Sequence, residues 1–159
     1  MKPGRLKLLV CNALLLGAAL IGSTQAQTAT PAAAAQPHAQ PLTVVLEGVA
    51  HERGNVRVGL YATPSSFRKE MHALAVREVP AAPGVVTVVF EAVPAGRYAV
   101  MAYHDEDGDG KLNLRFGMFP AEGYGLSNNP KVMGPPAFED SAFEVTADRP
   151  AHINVVMKY

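Results

Sequence analysis

The sequence predicts an all-β fold, an antiparallel two-sheet β-sandwich of about seven strands with one short helix and one long ordered loop. Three observations carry that prediction. Apolar and polar residues alternate in short runs, the period of a strand with one face buried. Gly, Pro and Asn punctuate those runs where the chain must turn. Beyond the N-terminal leader, only one segment offers a helical stripe.

The first 26 residues stand apart from the fold. Lys2, Arg5 and Lys7 precede an apolar run from Leu8 to Ile21, and Thr24-Gln25-Ala26 places small residues where signal peptidase reads them. The run falls short of the roughly 20 residues that cross hydrocarbon. We therefore expect a signal peptide over 1–26, no membrane span after its cleavage, and a periplasmic or secreted chain. Cys11 would leave with the leader, so no disulfide, thiolate ligand or cysteine nucleophile is expected. Of 14 basic and 14 acidic residues the leader takes Lys2, Arg5 and Lys7 and no acid, leaving 11 against 14. A mildly acidic chain argues against nucleic acid or an anionic membrane surface as partner. Residues 27–41, QTATPAAAAQPHAQP, read as a linker. Residues 42–159 form the domain, of ordinary size for one core.

The first strand is expected over Leu42 to Val49. A turn at His51–Asn55 follows, and Val56, Val58 and Leu60 then alternate with Arg57, Gly59 and Tyr61. Thr63 as N-cap and Pro64 as first residue predict the helix, with Phe67, Met71 and Leu74 on one face as a lid over an open edge. Ala73 to Val79 is a weaker strand candidate. Val85 to Phe90 comes next, closed by Val93-Pro-Ala-Gly96. There proline presets φ, glycine permits a positive φ, and the Tyr98 hydroxyl is free to tie back to the turn. Tyr98–Tyr103, Phe143–Val145 and an alternating run through Ile153, Val155 and Met157 complete the set.

The chemistry concentrates at His104-Asp-Glu-Asp-Gly-Asp-Gly-Lys-Leu-Asn113. Four of the 14 acids lie within five residues, Asp105 to Asp109, and their repulsion asks for a counter-charge. Asp105, Asp107, Asp109 and Gly110 match positions 1, 3, 5 and 6 of a D-x-D-x-D-G calcium loop. The Lys111 carbonyl and Asn113 would supply two further ligands. Phe116 stands where an EF-hand carries its bidentate glutamate, and no helix flanks the loop. The pattern thus predicts a weak Ca2+ site set between strands, in the affinity class of about 10⁻⁴ to 10⁻³ M, with Glu122 as a candidate to complete its shell. A plain solvated turn is the competing reading.

Residues 115–138 are rich in Gly, Pro, Asn and aromatics. Loops of this length in compact domains are functional or disordered, and Phe116, Phe119, Tyr124 and Phe138 argue for burial and order. The reading is a folded loop beside the acidic turn, a binding surface or a cap.

The Pro-x-Gly-x-Tyr turn resembles that of transthyretin-like and collagen-adhesin B-type modules, which implies an immunoglobulin-like or prealbumin-like sandwich. The acidic motif, followed by Phe-Gly, Pro-x-Glu-Gly-Tyr-Gly-x-Ser-Asn-Asn and Gly-Pro-Pro-x-Phe, is similar to the bacterial family DUF2141. Gly-Arg-Tyr-Ala-Val adds to that resemblance, which spans essentially the whole domain. It implies an exported sandwich-like domain and brings no catalytic residue.

An enzyme needs a nucleophile or an acid–base pair in a pocket. Ser127 has no G-x-S-x-G surroundings, His104 and Asp105 point to opposite faces of a strand, and His51, His72 and His152 are scattered. The expected function is a non-catalytic binding or structural module of the cell envelope, partnered by an envelope protein or a glycan. The alternative is a small periplasmic hydrolase that uses a metal held by the acidic loop.

Overall fold

The computed structural model describes residues 39–159; the expected leader and nearly all of the expected linker lie outside them. Two sheets face each other. In the first, β1 (Gln40–Val49) lies between β4 (Gly84–Val93) and β10 (Ala151–Val156). In the second, β3 (Ala75–Pro80), β2 (Asn55–Tyr61) and β5 (Gly96–Asp105) lie side by side. The far edge of β5 is shared: β8 (Tyr124–Leu126) pairs with its C-terminal part and β9 (Ala142–Val145) with its N-terminal part. A small hairpin of β6 (Leu114–Arg115) and β7 (Phe119–Pro120) stands by itself.

The alternating runs explain the layering. Leu42, Val44 and Leu46 of β1 and Val86, Val88 and Phe90 of β4 face Val56, Val58 and Leu60 of β2 and Val100 and Ala102 of β5. Burying each such valine or leucine contributes about 1.5–3 kcal/mol before conformational entropy is charged against it. β5 is buried on both faces. Its outer side is covered by a smaller cluster of Tyr61, Phe67, Ala99, Leu126 and Phe138, drawn from the segments that cross that face. Tyr98 donates its hydroxyl hydrogen bond to the Pro94 carbonyl (3.0 Å), the tie expected of this turn.

Several details differ from the sequence-based expectation. β1 starts at Gln40, inside the expected linker, where the Gln40 amide reaches the Ala147 carbonyl (2.8 Å). All pairings are antiparallel except β1 with β10, which run parallel from Leu42↔Ala151 to Glu47↔Val156. The helix from Thr63 does not form. The Thr63 carbonyl accepts the Ser66 and Phe67 N–H groups, but Arg68 then takes a φ of 64°, a left-handed conformation that ends a helical turn. Phe67 is buried, whereas Met71 is 94% and Leu74 55% exposed, so the stripe has no common face. A single 3₁₀ turn at Glu70–His72 remains, and a four-residue helix, α1 (Phe138–Ser141), forms instead. Of the loop aromatics, Phe138 is buried and Tyr124 half-buried, while Phe116 and Phe119 stand exposed at 84% and 61%.

Candidate functional site

β5 ends in Tyr103, His104 and Asp105, which lie opposite Arg57, Val56 and Asn55 of β2. The acidic loop begins there, and Asp105 shapes it. Its carboxylate is almost wholly buried and accepts three backbone N–H groups: Gly108 (2.9 Å) and Asp109 (3.1 Å) at Oδ1, Gly110 (2.9 Å) at Oδ2. Such bonds to an ionised group are the strong kind, and they offset the cost of burying it. The tight wrap needs positive φ at Gly108 (77°) and Gly110 (76°), which glycine adopts without steric cost.

The other ligand candidates follow around the wrap. Asp107 Oδ1 accepts the Asp109 N–H (3.2 Å), and Asp109 Oδ1 accepts the Lys111 N–H (2.8 Å). The Asn113 amide donates to Asp107 Oδ2 (2.8 Å). One carboxylate oxygen from each of Asp105, Asp107 and Asp109 lies within 4.8 Å of the other two. At such separations each like-charge pair costs between about 1 and 3.5 kcal/mol for effective dielectric constants of about 80 to 20. A divalent cation would reverse the sign of that balance. The arrangement thus brings together Asp105, Asp107, Asp109 and Asn113, with Lys111 bonded directly behind them.

Glu122, the candidate to complete the shell, ties down the loop's backbone. Its Oε1 accepts the Glu106 N–H (3.0 Å) and its Oε2 the Asn113 N–H (2.8 Å). It is buried and clasps the two ends of the loop together.

Below the loop runs a polar network that sequence reasoning missed. The Tyr103 hydroxyl donates to Glu70 Oε2 (2.6 Å) and lies 3.0 Å from the Gly110 carbonyl. Glu70 Oε1 accepts from Arg57 Nη2 (2.5 Å), and the other arm of Arg57 meets Glu78. Burial by itself would raise the Glu70 pKa, but the hydrogen bonds from Arg57 and Tyr103, with the Arg57 charge, outweigh it and hold this carboxyl below its ordinary value. Burial and the neighbouring Glu70 push the Tyr103 phenol well above its ordinary value. Arg57 and Glu78 are direct cross-strand partners in the β2–β3 pair, a register that only the structure supplies.

On the other side of the loop, His104 is fully buried. Its Nε2 lies 2.7 Å from the Arg53 carbonyl, which can only accept, so Nε2 carries the proton and Nδ1 accepts from the Tyr159 hydroxyl (2.7 Å). That hydroxyl in turn accepts the Ala50 N–H (2.9 Å). Beside it the Glu106 carboxylate meets both Arg53 (2.7 Å) and His51 (3.1 Å). His51, His104 and Glu106 also lie within 4.8 Å of one another, but both nitrogens of His104 are engaged in fastening the 50–54 turn and the C-terminus. His72 and His152 are exposed on separate elements, the 3₁₀ turn and β10.

Ser127 is fully buried for a structural reason. It fills the gap between β8 and β9, where its N–H donates to the Val100 carbonyl (3.0 Å) and its hydroxyl accepts the Val100 N–H (2.9 Å) and donates to the Ser141 carbonyl. Just after the acidic loop, the β6–β7 hairpin presents Leu114, Phe116, Met118 and Phe119, all exposed.

Fold and site together define a chain of two facing β-sheets with an acidic, calcium-loop-like turn at one pole. The chain belongs to the family DUF2141, described as an uncharacterized protein conserved in bacteria, which matches residues 44–154. No curated protein and no solved structure matches it.

Proposed function

We propose that this protein is an exported, non-catalytic module of the bacterial cell envelope, working in the periplasm or outside the cell, whose acidic loop is stiffened by a weakly held Ca2+ ion. What supports the cation is chiefly one observation: three aspartate carboxylates converge within 4.8 Å, with Asp105 already held by three backbone N–H groups. An oxygen-only donor set of this kind suits a hard cation, and calcium, which accepts irregular oxygen geometry, over magnesium, which demands a near-ideal octahedron. A binding role is supported by the four exposed apolar side chains of the neighbouring β6–β7 hairpin, which offer a contact surface to an envelope protein or a glycan.

The alternative, a metal-assisted hydrolase, needs an open coordination position with a free general base beside it. Both oxygens of Glu122 accept backbone N–H groups and both nitrogens of His104 are bonded. The observations therefore favour the binding module.

Calorimetric titration and thermal melting with Ca2+ and Mg2+ test the reading. At calcium tenfold above Kd the folded state gains about 1.4 kcal/mol, several degrees in Tm for a domain of this size. Asp107→Ala should remove that response and leave the strand signal in circular dichroism unchanged. A Tm that stays flat up to millimolar calcium in both proteins would return these aspartates to the status of a solvated turn.

A further inference from the structure

The edges of the two sheets are not treated alike. A strand edge presents a row of unpaired N–H and C=O groups, and soluble proteins blunt such rows with charge, proline, bulges or covering groups. β3, one edge of the second sheet, carries Arg77, Glu78 and Pro80. β9 is covered by Asn128, whose amide donates to the Ala142 carbonyl (2.8 Å). The outer edge of β10 is bridged by Asn129, which accepts the Val156 N–H (2.7 Å) and donates to the Asn154 carbonyl (3.1 Å) as a neighbouring strand would. β8 is met by Lys158 through paired backbone bonds with Tyr124 (2.8 and 2.9 Å).

β4 is blunted only beyond Phe90, where three residue steps, Phe90 to Val93, lie against two of β1, Leu42 to Gln40, as in a bulge. Its ten residues, GVVTVVFEAV, contain one charge and no proline. Among the described residues it pairs with β1 alone, and the register shifts of that pairing fall outside its middle stretch, Val85 to Phe90. Val85, Thr87 and Val89 face solvent, a run of β-branched side chains of high strand propensity.

We infer that the open edge of β4 pairs with the same edge of a second copy. The two three-stranded sheets then join into one continuous sheet. The unpaired main-chain groups specify a strand as the occupant, and the side chains specify this strand. Antiparallel pairing of β4 with itself is two-fold and closes at a dimer. Centred on Val88, it sets Thr87 opposite Val89, and Val86 opposite Phe90 on the core side. No charge meets its like, and the outward pairs are of the kind that stabilise a sheet. The contact runs alongside Val86 and Phe90, which are already buried in the core layer.

Sedimentation equilibrium of the purified protein over a range of concentrations tests the inference. The expected result is a monomer–dimer equilibrium whose Kd rises at least about tenfold in Thr87→Lys and in Val89→Lys, since each substitution enters a two-fold contact twice. Both side chains point to solvent, so the circular dichroism of the variants should match the wild type, and so should their Tm at concentrations where the wild type is monomeric. A second outcome that supports the contact is slower amide exchange in β4 as protein concentration rises. A protein that stays monomeric throughout would overturn the inference. So would a dimer that survives both lysines yet dissolves in Phe116→Ser, which would place the contact on the β6–β7 hairpin. A ladder of species beyond the dimer would rule out the closed two-fold pairing.

Discussion

Gly54 sits at a φ of 68°, and a Cβ built on it would fall 1.9 Å from the Asp105 carbonyl oxygen. Backbone lies against backbone there, so neither partner can swing aside. Gly54→Ala should cost at least about 2 kcal/mol, from strain and overpacking together, read as a lower denaturant midpoint at unchanged m-value. Asp105 is a second position where one atom decides. In Asp105→Asn the side-chain amide would face the Gly110 N–H, donor against donor, at a buried site, an expected loss of about 1–3 kcal/mol. Asp109→Asn, on the exposed limb of the loop, should cost less than half of that while weakening calcium binding as much. The acidic motif itself was legible because a D-x-D-x-D-G spacing is a local property. That Glu122 clasps the two ends of the loop depends on where β8 delivers the preceding residues, which no local pattern encodes.

Elements are held to one another here by a few polar ties. Ser127 fills the gap between β8 and β9 along β5, so Ser127→Ala leaves the Val100 N–H without its acceptor in a dry site. An expected loss of about 1–3 kcal/mol follows, measurable by urea unfolding, with accelerated exchange of the Val100 amide as its local sign. The Glu70 network joins β2, β5 and the 3₁₀ turn. Because the Glu70 pKa is lowered in the folded state, the unfolded chain binds more protons in that window, and the stabilisation is present above the ordinary value of 4.5 and lost as pH falls below it. Urea unfolding between about pH 2 and 6 should show that slope, flattened in Glu70→Gln. At the alkaline end the raised Tyr103 pKa works the other way, with stability present below the ordinary phenol value of about 10 and lost above it. The helix expected over Thr63 to Leu74 fails at this same scale. Glu70 is drawn to Arg57 and Tyr103, and Arg68 turns left-handed before it, so tertiary bonds override an apolar stripe whose Met71 and Leu74 have nothing to cover.

At the scale of the whole molecule, the last residues close the fold. β10 lies parallel to β1 and carries Val155 into the core, Met157 follows it there, and Tyr159 reaches back to His104 and Ala50. Removing residues 151–159 would strip β1 of one neighbour and open the core beneath Leu42 and Leu46. The expected result is loss of the cooperative thermal transition in circular dichroism, whereas Tyr159→Phe should keep the transition and lower its midpoint by only a few degrees. The sequence by itself determined the class of fold, the approximate place of the strands and the shape of the acidic loop. Val56, Val58 and Leu60 announce which face of β2 is buried, and Asp105 with Gly110 announces its own turn, because each rests on spacing along one stretch of chain. Only the tertiary structure decided which strands are neighbours, that β1 and β10 run parallel, which edge is left open, and that Phe116 faces solvent while Phe138 does not. Alternation states that a strand has a buried side; it carries no information about what the chain, returning a hundred residues later, will place against it.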